Sequence, residues 1–478
     1  MSFLRALLVA LLGSAALVVA GCGSSSAASN TDSISSLAPK DAGAFVVVET
    51  DQTSAQWKNT QALLAKIPGG EKALNSALSQ IGGAKGVDFA KDVAPAFGKQ
   101  LVVVVPSGAK DPILLVKPDD SKKLDALLAK GTKPSVKGDV DGWTAIATTQ
   151  KELDSYEAAL DKGKLSDESA FTKATDGLPA DSLAHGYLSG PGLVNALGSA
   201  TGATQSLSGL SVPGLAGSSG AANQIGTIGF AVSSSDHGFR LDGSLIQKDG
   251  AVPASFTPTL LDSVPADALI AVSFDGAGQG QQAIDQALKQ GGKQLATVEK
   301  QLGVKLDDLV AALDGEGVLY VRAGAPIPEI TLAVKPKDGA HAKATFGALV
   351  GKLSSSAGSS LPIPGFQLTS TTAKGVVFVS TAKDVATSFA GSGAKLTASE
   401  RFKQAATEIG FSGKTSGLGY VDVHALGPLL KTALGALGSS GSSSTTSGLE
   451  GLTAFDTVAF GSTVDGSRTR FAAVINLS

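Results

Sequence analysis

The chain has 478 residues, of which 43% are hydrophobic and 17% are charged, and its formal net charge at pH 7 is -3. This length favours two or three domains over a single core, and the composition indicates that most of the chain folds. A nucleic-acid-binding surface needs clustered Lys and Arg, which are absent, so no nucleic-acid partner is expected. The single Cys excludes an internal disulfide and a Cys-based metal cluster within one chain.

The first 21 residues are typical of a signal peptide. Arg5 precedes an apolar run from Ala6 to about Val19, and no acidic residue interrupts it. A transmembrane anchor is an alternative, but the apolar run is short for a membrane span and no stop-transfer sequence follows it. We therefore expect residues 1–21 to be removed during export.

The residues around the only cysteine indicate a bacterial lipoprotein. Val19, Ala20 and Gly21 lie directly before Cys22. The small residues give the signal peptidase access to the scissile bond, and the sulfur of Cys22 is the atom that takes the diacylglycerol. The alternative is an ordinary secretory signal followed by an unrelated Cys. The pattern predicts lipidation at Cys22, with Val19, Ala20 and Gly21 as the cleavage motif.

Residues 22–36 are rich in Ser and lack hydrophobic periodicity, so they are predicted to be the lipidated Cys and a flexible tether. No later apolar run approaches the length of a membrane span. The processed protein is expected to be held by its lipid at the extracytoplasmic face of the cell membrane.

The remainder of the chain reads as two copies of one unit. Residues 37–51 and residues 263–275 both contain a Pro-x-Asp turn followed by an apolar strand. Later segments of the first half recur in the same order in the second half. This long period favours a duplicated globular domain over a solenoid. We predict repeat domains at 37–249 and 261–478, joined by a Pro-containing linker at 250–260.

Each copy is predicted to alternate pairs of strands with helices, which favours an α+β fold with a mostly antiparallel sheet. In chain order, with the second copy in parentheses, the elements are a strand within 37–51 (263–275), helices at 53–66 and 71–82 (279–301), a helix at 88–96 (306–313), two strands joined by a turn at 106–112 (323–329), a helix starting at 119, a strand at 142–148 (375–381), helices at 150–160 (382–390) and 167–175 (398–408), a strand at 183–188 (417–422), a helix at 190–197 (425–437) and a hairpin at 225–246 (455–477).

Two Ser/Gly-rich stretches, 198–223 and 435–452, precede the closing hairpins. The first also contains apolar residues such as Leu207 and Leu210. We expect the apolar side chains of this first stretch to pack on their own domain, although contact with a lipid or a partner is an alternative.

A glycine cluster offers a candidate cofactor site. Gly276, Gly278 and Gly280 follow a predicted strand and precede a predicted helix, as in a dinucleotide-binding loop. The third glycine of that loop would fall on Gln281, and the matching place in the first copy has no glycine. The cluster is therefore interpreted as a turn, and no cofactor is predicted.

Catalytic and metal sites are not predicted either. Ser107 with Lys110, and Ser392 with Lys395, have Ser-x-x-Lys spacing but lie in predicted turns, whereas catalysis needs them on one helical turn. The four histidines are spread along the chain, and no two lie within one helical turn of each other: His185, His237, His341 and His424.

One acidic and one basic position recur in both copies. Asp41 and Asp267 each follow a proline by two residues, and we expect each to cap its own turn rather than to act in a carboxylate pair. Arg240 and Arg470 lie in the closing hairpins and are expected to face solvent.

The Cys22 motif, the Leu-x-Pro-x-Asp-Ala segment at 37–42 and its echo at 264–268 resemble an uncharacterised family of actinobacterial envelope lipoproteins with a domain of unknown function. The resemblance implies a surface-tethered, duplicated α+β protein and supplies no catalytic residue. We expect a non-enzymatic protein of binding or scaffolding type, with an envelope protein or an apolar ligand as its partner. The alternative is a carrier that moves a lipid or another apolar ligand between membrane and cell wall.

Overall fold

The computed structural model describes residues 34–70, 72, 74, 89–109, 111–130, 135–190, 192, 225–248, 252–276, 299–324, 328–360, 367–436 and 452–478. The leader, Cys22 and most of the two Ser/Gly-rich stretches lie outside these residues, as do the predicted helix at 71–82, apart from two of its residues, and most of the helix at 279–301. The described chain is mixed helix and strand with a large antiparallel sheet, which confirms the predicted mixture and strand direction.

The chain divides into two compact units. Unit 1 contains Met1–Val252 together with Asp465–Ser478, and unit 2 contains Pro253–Val464. The division lies within the predicted linker at 250–260. The last strand of the chain is grouped with unit 1, because it pairs with a strand of that unit.

Unit 1 is an antiparallel sheet with helices on both faces. Its strands run in the order β16-β8-β7-β6-β1-β2-β3-β5-β4. The strands are β1 (Ala44–Glu49), β2 (Gln100–Val105), β3 (Ile113–Val116), β4 (Val136–Val140), β5 (Trp143–Ala147), β6 (Ala184–Ser189), β7 (Ile225–Ser234), β8 (Gly238–Gln247) and β16 (Arg468–Leu477). The helices are α1 (Ala55–Lys66), a π-helix (Phe89–Val93), α2 (Ala94–Phe97), α3 (Ser121–Ala129), α4 (Gln150–Leu160), a 3-10 helix (Leu165–Asp167) and α5 (Ser169–Thr175).

The two faces of the unit 1 sheet bury separate cores. On one face, α1, α2 and α3 pack on β1, β2 and β3, and Trp57 of α1 lies against Phe89 at 5.8 Å between ring centroids. On the other face, α4 and α5 pack on the alternate residues of the same strands. Because successive side chains of a strand point to opposite faces, the continuous apolar runs of β2 and β3 fill both cores.

Local sequence signals explain where these helices begin. Thr149 and Glu152 form a capping box at the start of α4, each side chain accepting a hydrogen bond from the backbone N–H of the other. Asp120 accepts from the N–H groups of Lys122 and Lys123 at the start of α3.

Unit 2 has strands in the order β12-β13-β11-β10-β9-β14-β15. The strands are β9 (Ala268–Asp275), β10 (Gly315–Arg322), β11 (Glu329–Pro336), β12 (Thr369–Ala373), β13 (Val376–Ser380), β14 (Gly417–Asp422) and β15 (Phe455–Asp465). The helices are α6 (Leu306–Leu313), α7 (Gly339–Ser360), α8 (Val385–Ala390), α9 (Glu400–Glu408) and α10 (Val423–Ala436), with 3-10 helices at Thr259–Ser263, Leu396–Ala398 and Leu452–Ala454.

Unit 2 also has helices on both faces of its sheet. Phe346 of α7 packs with Val334 and Val377 on one face. On the other face, Phe402 of α9 meets Tyr420 at 5.3 Å between ring centroids.

Two strands, β4 and β12, were not predicted from the sequence. Each forms the outer member of a hairpin, with β5 and with β13 respectively. Their sequences are polar and contain Lys137 and Asp139 in β4 and three threonines in β12. Edge strands are half-solvated, so they lack the hydrophobic alternation that marks an inner strand.

Candidate apolar binding strip

A row of apolar side chains crosses the middle of the unit 2 sheet. Leu319 of β10 lies opposite Val272 of β9, and Val321 lies opposite Ile270 on one side and Ile330 of β11 on the other. Opposite residues in antiparallel strands point to the same face. We call Ile270, Val272, Leu319, Val321 and Ile330 the apolar strip.

The apolar strip is incompletely covered. Leu319 is 37% exposed and Ile330 is 46% exposed, and with Val252 they are the exposed large hydrophobic side chains among the residues that the structure describes. The other three members of the strip are half-buried. Single exposed apolar side chains are ordinary on protein surfaces, whereas neighbouring ones in a sheet centre make this surface a candidate binding site.

The corresponding position in unit 1 is closed. Val103 of β2 lies opposite Val46 of β1 and Leu114 of β3, just as Leu319 lies between β9 and β11. Val103 is only 1% exposed, because α1 follows β1 directly and places Trp57 in the same core. The indole N–H of Trp57 donates to the carbonyl of Glu49 at 2.8 Å, which fixes α1 over the sheet.

Two described helices of unit 2, α6 and α7, pack on this face on the side toward β13. Leu313 of α6 and Leu349 of α7 pack near Leu332 and Val379, beyond the strip toward β13. The residues that follow β9, 277–298, lie outside the described part of the chain. The open surface is therefore bounded by α6 and α7 on one side.

A cluster of charged residues lies at one end of the strip. Arg322, at the end of β10, donates hydrogen bonds to both carboxylate oxygens of Asp267 at 2.9 Å, and its guanidinium lies 3.4 Å from the carboxylate of Glu329. These hydrogen bonds raise the pKa of the Arg322 guanidinium above its usual value. The expectation that Asp267 caps its own turn is wrong, because its carboxylate is used by Arg322 instead.

The hydroxyl–imidazole pair closest to a catalytic arrangement is in unit 1. Ser182 Oγ lies 3.1 Å from His185 Nδ1. Burial lowers the pKa of His185 to about 4, so the ring is neutral at pH 7 and a weak general base. Ser182 is only 7% exposed, which keeps its hydroxyl away from a substrate. The pair is better explained as a buried hydrogen bond than as a nucleophile and base.

The Ser-x-x-Lys and glycine candidates are engaged in structural contacts. Lys395 Nζ donates to the carbonyls of Ser263 and Phe389 at 3.3 and 3.1 Å, rather than approaching Ser392. The N–H of Gly276 donates to the carbonyl of Gly315 at 2.9 Å. Lys110, Gly278 and Gly280 lie outside the described residues.

The arginines of the closing hairpins are not free in solvent. Arg240 binds Asp242 at 2.6 Å and is 19% exposed, so the expectation that it faces solvent is wrong. Arg470 binds Asp465 at 2.9 Å.

The described residues contain no group of three or more His, Cys, Asp or Glu side chains placed to hold a metal ion. Within that part of the chain, no helix combines the length and the apolarity needed to cross a membrane. Comparison of the chain with protein-family models, with curated proteins and with solved structures found no match.

Proposed function

We propose that this protein is a non-enzymatic binding protein held at the extracytoplasmic face of the cell membrane by a lipid on Cys22. Its ligand is apolar, with the acyl chain of a lipid as the occupant of the apolar strip. The observation that carries this proposal is the exposure of Leu319 and Ile330, which are diagonal neighbours on the adjacent strands β10 and β11 in the centre of a sheet. A tethered protein also meets lipid at a high local concentration.

The proposal includes a duplicated architecture. Matched contacts in the two units support it. Lys40 N–H donates to the carbonyl of Gly163 at 3.0 Å, and Ala266 N–H donates to that of Ala394 at 2.9 Å. Pro39 bridges to Lys164 as Pro265 bridges to Lys395. The relative strand order from β1 to β7 is also repeated from β9 to β15. In this proposal one copy kept a closed face and the other kept an open one.

Native mass spectrometry of residues 23–478, followed by lipid extraction, tests the ligand. We expect a bound species that dissociates as a lipid. The double substitution Leu319→Ser with Ile330→Ser is expected to lower the bound fraction at least about tenfold, because burying each aliphatic side chain is worth roughly 1.5–3 kcal/mol. Val252→Ser is the matched control, since Val252 is similarly exposed at 38% but lies outside the strip.

The opposite result is equally informative. A mass without ligand, together with no binding of a fluorescent fatty acid, would overturn the apolar-ligand proposal. Protection of a Leu319→Cys thiol from modification in that ligand-free protein would mean that the chain itself covers the strip. The scaffolding alternative would then stand, and a protein partner from the envelope would be the next ligand to seek.

A second experiment tests the anchor. Cys22→Ala is expected to abolish incorporation of labelled palmitate and to release the protein from the membrane fraction. Retention of Cys22→Ala in that fraction after a high-salt wash would contradict anchoring through this residue.

A further inference from the structure

Three neighbouring strands of unit 1 bring a histidine and a carboxylate to the same face. His185 of β6 lies opposite Ala231 of β7, and Ala231 lies opposite Asp242 of β8. Opposite residues share a face, so all three side chains point the same way. Two strand spacings, about 10 Å, separate the backbones of the outer two residues. Ala231 is fully buried, and its methyl side chain is shorter than the imidazole and the carboxylate on either side of it.

Each of the two outer side chains has one satisfied and one unsatisfied polar atom. His185 Nδ1 is hydrogen-bonded to Ser182, whereas Nε2 is out of contact with solvent and has no partner in the described part of the chain. Asp242 Oδ1 accepts from Arg240 at 2.8 Å through Nε, whereas Oδ2 is likewise buried without a partner among those residues. A buried polar atom without a hydrogen bond is costly and rare in folded proteins.

The unsatisfied atoms have complementary needs. A carboxylate oxygen only accepts, and an imidazole nitrogen accepts or donates according to its tautomer. A water molecule serves either tautomer, because it donates to Oδ2 and either donates to Nε2 or accepts from it. The hydroxyls of Thr227 and Ser244 are also buried and unpartnered on this face of β7 and β8, within the described residues. An apolar filling would leave all these groups unsatisfied.

We propose that a buried water molecule over Ala231 bridges His185 Nε2 and Asp242 Oδ2. It completes a hydrogen-bond chain from Ser182 through His185 and Asp242 to Arg240. This hydration site is independent of the apolar strip, because all its residues belong to unit 1.

A double-mutant cycle in the full chain tests the bridge. His185→Phe and Asp242→Asn are made singly and together, and unfolding in urea is measured at pH 7.5. We expect the unfolding equilibrium constant of the double variant to differ from the product of the single effects by a factor of about five or more. Independent residues this far apart give additive effects. Additivity within about twofold would overturn the bridge. His185→Phe with Asp236→Asn, an acidic residue beside His237, is the matched control and is expected to be additive.

A second measurement needs no substitution at the site. The measurement is NMR of the wild-type chain with isotope-labelled alanine methyl groups. We expect magnetisation transfer from a long-lived water molecule to the Ala231 methyl group. The Ala231→Gly variant lacks this methyl group, so the signal that is missing from its spectrum identifies the Ala231 resonance. The absence of any water transfer to Ala231, in spectra where other buried waters are detected, would overturn the proposal.

Discussion

The environment of His185 makes a residue-scale prediction about pH. Burial lowers the pKa of this imidazole from 6.5 to about 4 in the folded chain. Above pH 6.5 the ring is neutral in both the folded and the unfolded states. As the pH falls toward 4, the unfolded state binds the proton first, so stability is lost on acidification. The loss is at most about 3 kcal/mol, since one pKa unit corresponds to about 1.4 kcal/mol.

Urea unfolding at pH 7.5 and pH 4.5 measures this contribution. His185→Gln is expected to show a smaller loss of stability between the two pH values than the wild-type chain. His237→Gln is the control, because His237 is two-thirds exposed in its side chain. An equal loss of stability in wild type and His185→Gln would contradict the assignment.

A second prediction concerns one backbone position. Lys374 has a φ of 51° and Gly375 has a φ of 77°, which is the two-residue turn between β12 and β13. This turn needs positive φ at both positions, which Gly and Asn adopt at lower cost than Lys. Lys374→Gly is expected to raise the free energy of unfolding by about 0.5–1 kcal/mol, measured in urea.

The matching turn in unit 1 supplies the control. Asp141 has a φ of 51° and precedes Gly142. Aspartate tolerates this region, so Asp141→Asn is expected to change stability by less than about 0.5 kcal/mol. If Lys374→Gly instead lowers the free energy of unfolding, the contacts of the Lys374 side chain contribute more stability than its positive φ costs.

At the scale of elements, the last strand completes the unit 1 sheet. β16 pairs with β8 from Thr469 to Asn476. Arg468 anchors the start of β16 through Asp176 at 2.9 Å and the carbonyl of Lys173 at 3.0 Å, near the C-terminal end of α5. A cation near the carbonyl end of a helix is favourable because of the helix dipole.

Truncation after residue 464 tests the role of β16. Without β16, the edge of β8 is unpaired, and such an edge is prone to aggregation. We expect the truncated chain to form oligomers in size-exclusion chromatography. A peptide of residues 465–478 added in excess is expected to restore the elution volume of the full chain. A truncated chain with the same oligomeric state and the same thermal stability as the full chain would contradict this role.

Some helices could be predicted from the sequence, whereas two edge strands could not. The predicted helix at 306–313 matches α6, and the predicted helix at 150–160 matches α4 with its capping box. Caps and periodicity are local, so they can be read from adjacent residues. The edge strands β4 and β12 were missed because pairing with a neighbour, not their own hydrophobicity, makes them strands.

At the scale of the whole molecule, the two compact units do not follow the order of residues along the chain. The final residues, Asp465–Ser478, belong with unit 1 although the whole of unit 2 lies between them and the rest of that unit in the chain. Sequence comparison of the halves places these residues at the end of the second copy. Which sheet a terminal strand joins depends on long-range pairing, so a one-dimensional alignment does not determine it.

The exposure of the apolar strip could not be predicted from the sequence either. Leu319 and Val103 are both aliphatic residues of inner strands, and each lies opposite aliphatic residues on its two neighbouring strands, yet Leu319 is exposed and Val103 is buried. Their difference comes from what packs above the sheet. For the same reason the sequence did not indicate that His185 and Asp242 share a face, since 57 positions in chain numbering separate them and strand register decides which face a residue takes.

The sequence by itself determined the alternation of strands and helices, and it predicts a lipid anchor through the motif that ends at Cys22. Both depend on residues that lie close together in the chain. The tertiary structure decided which strand ends each sheet, which acid Arg322 and Arg240 bind, and which part of a sheet stays open. These features arise from contacts between residues far apart in sequence. They depend on packing and register, which local propensity does not encode.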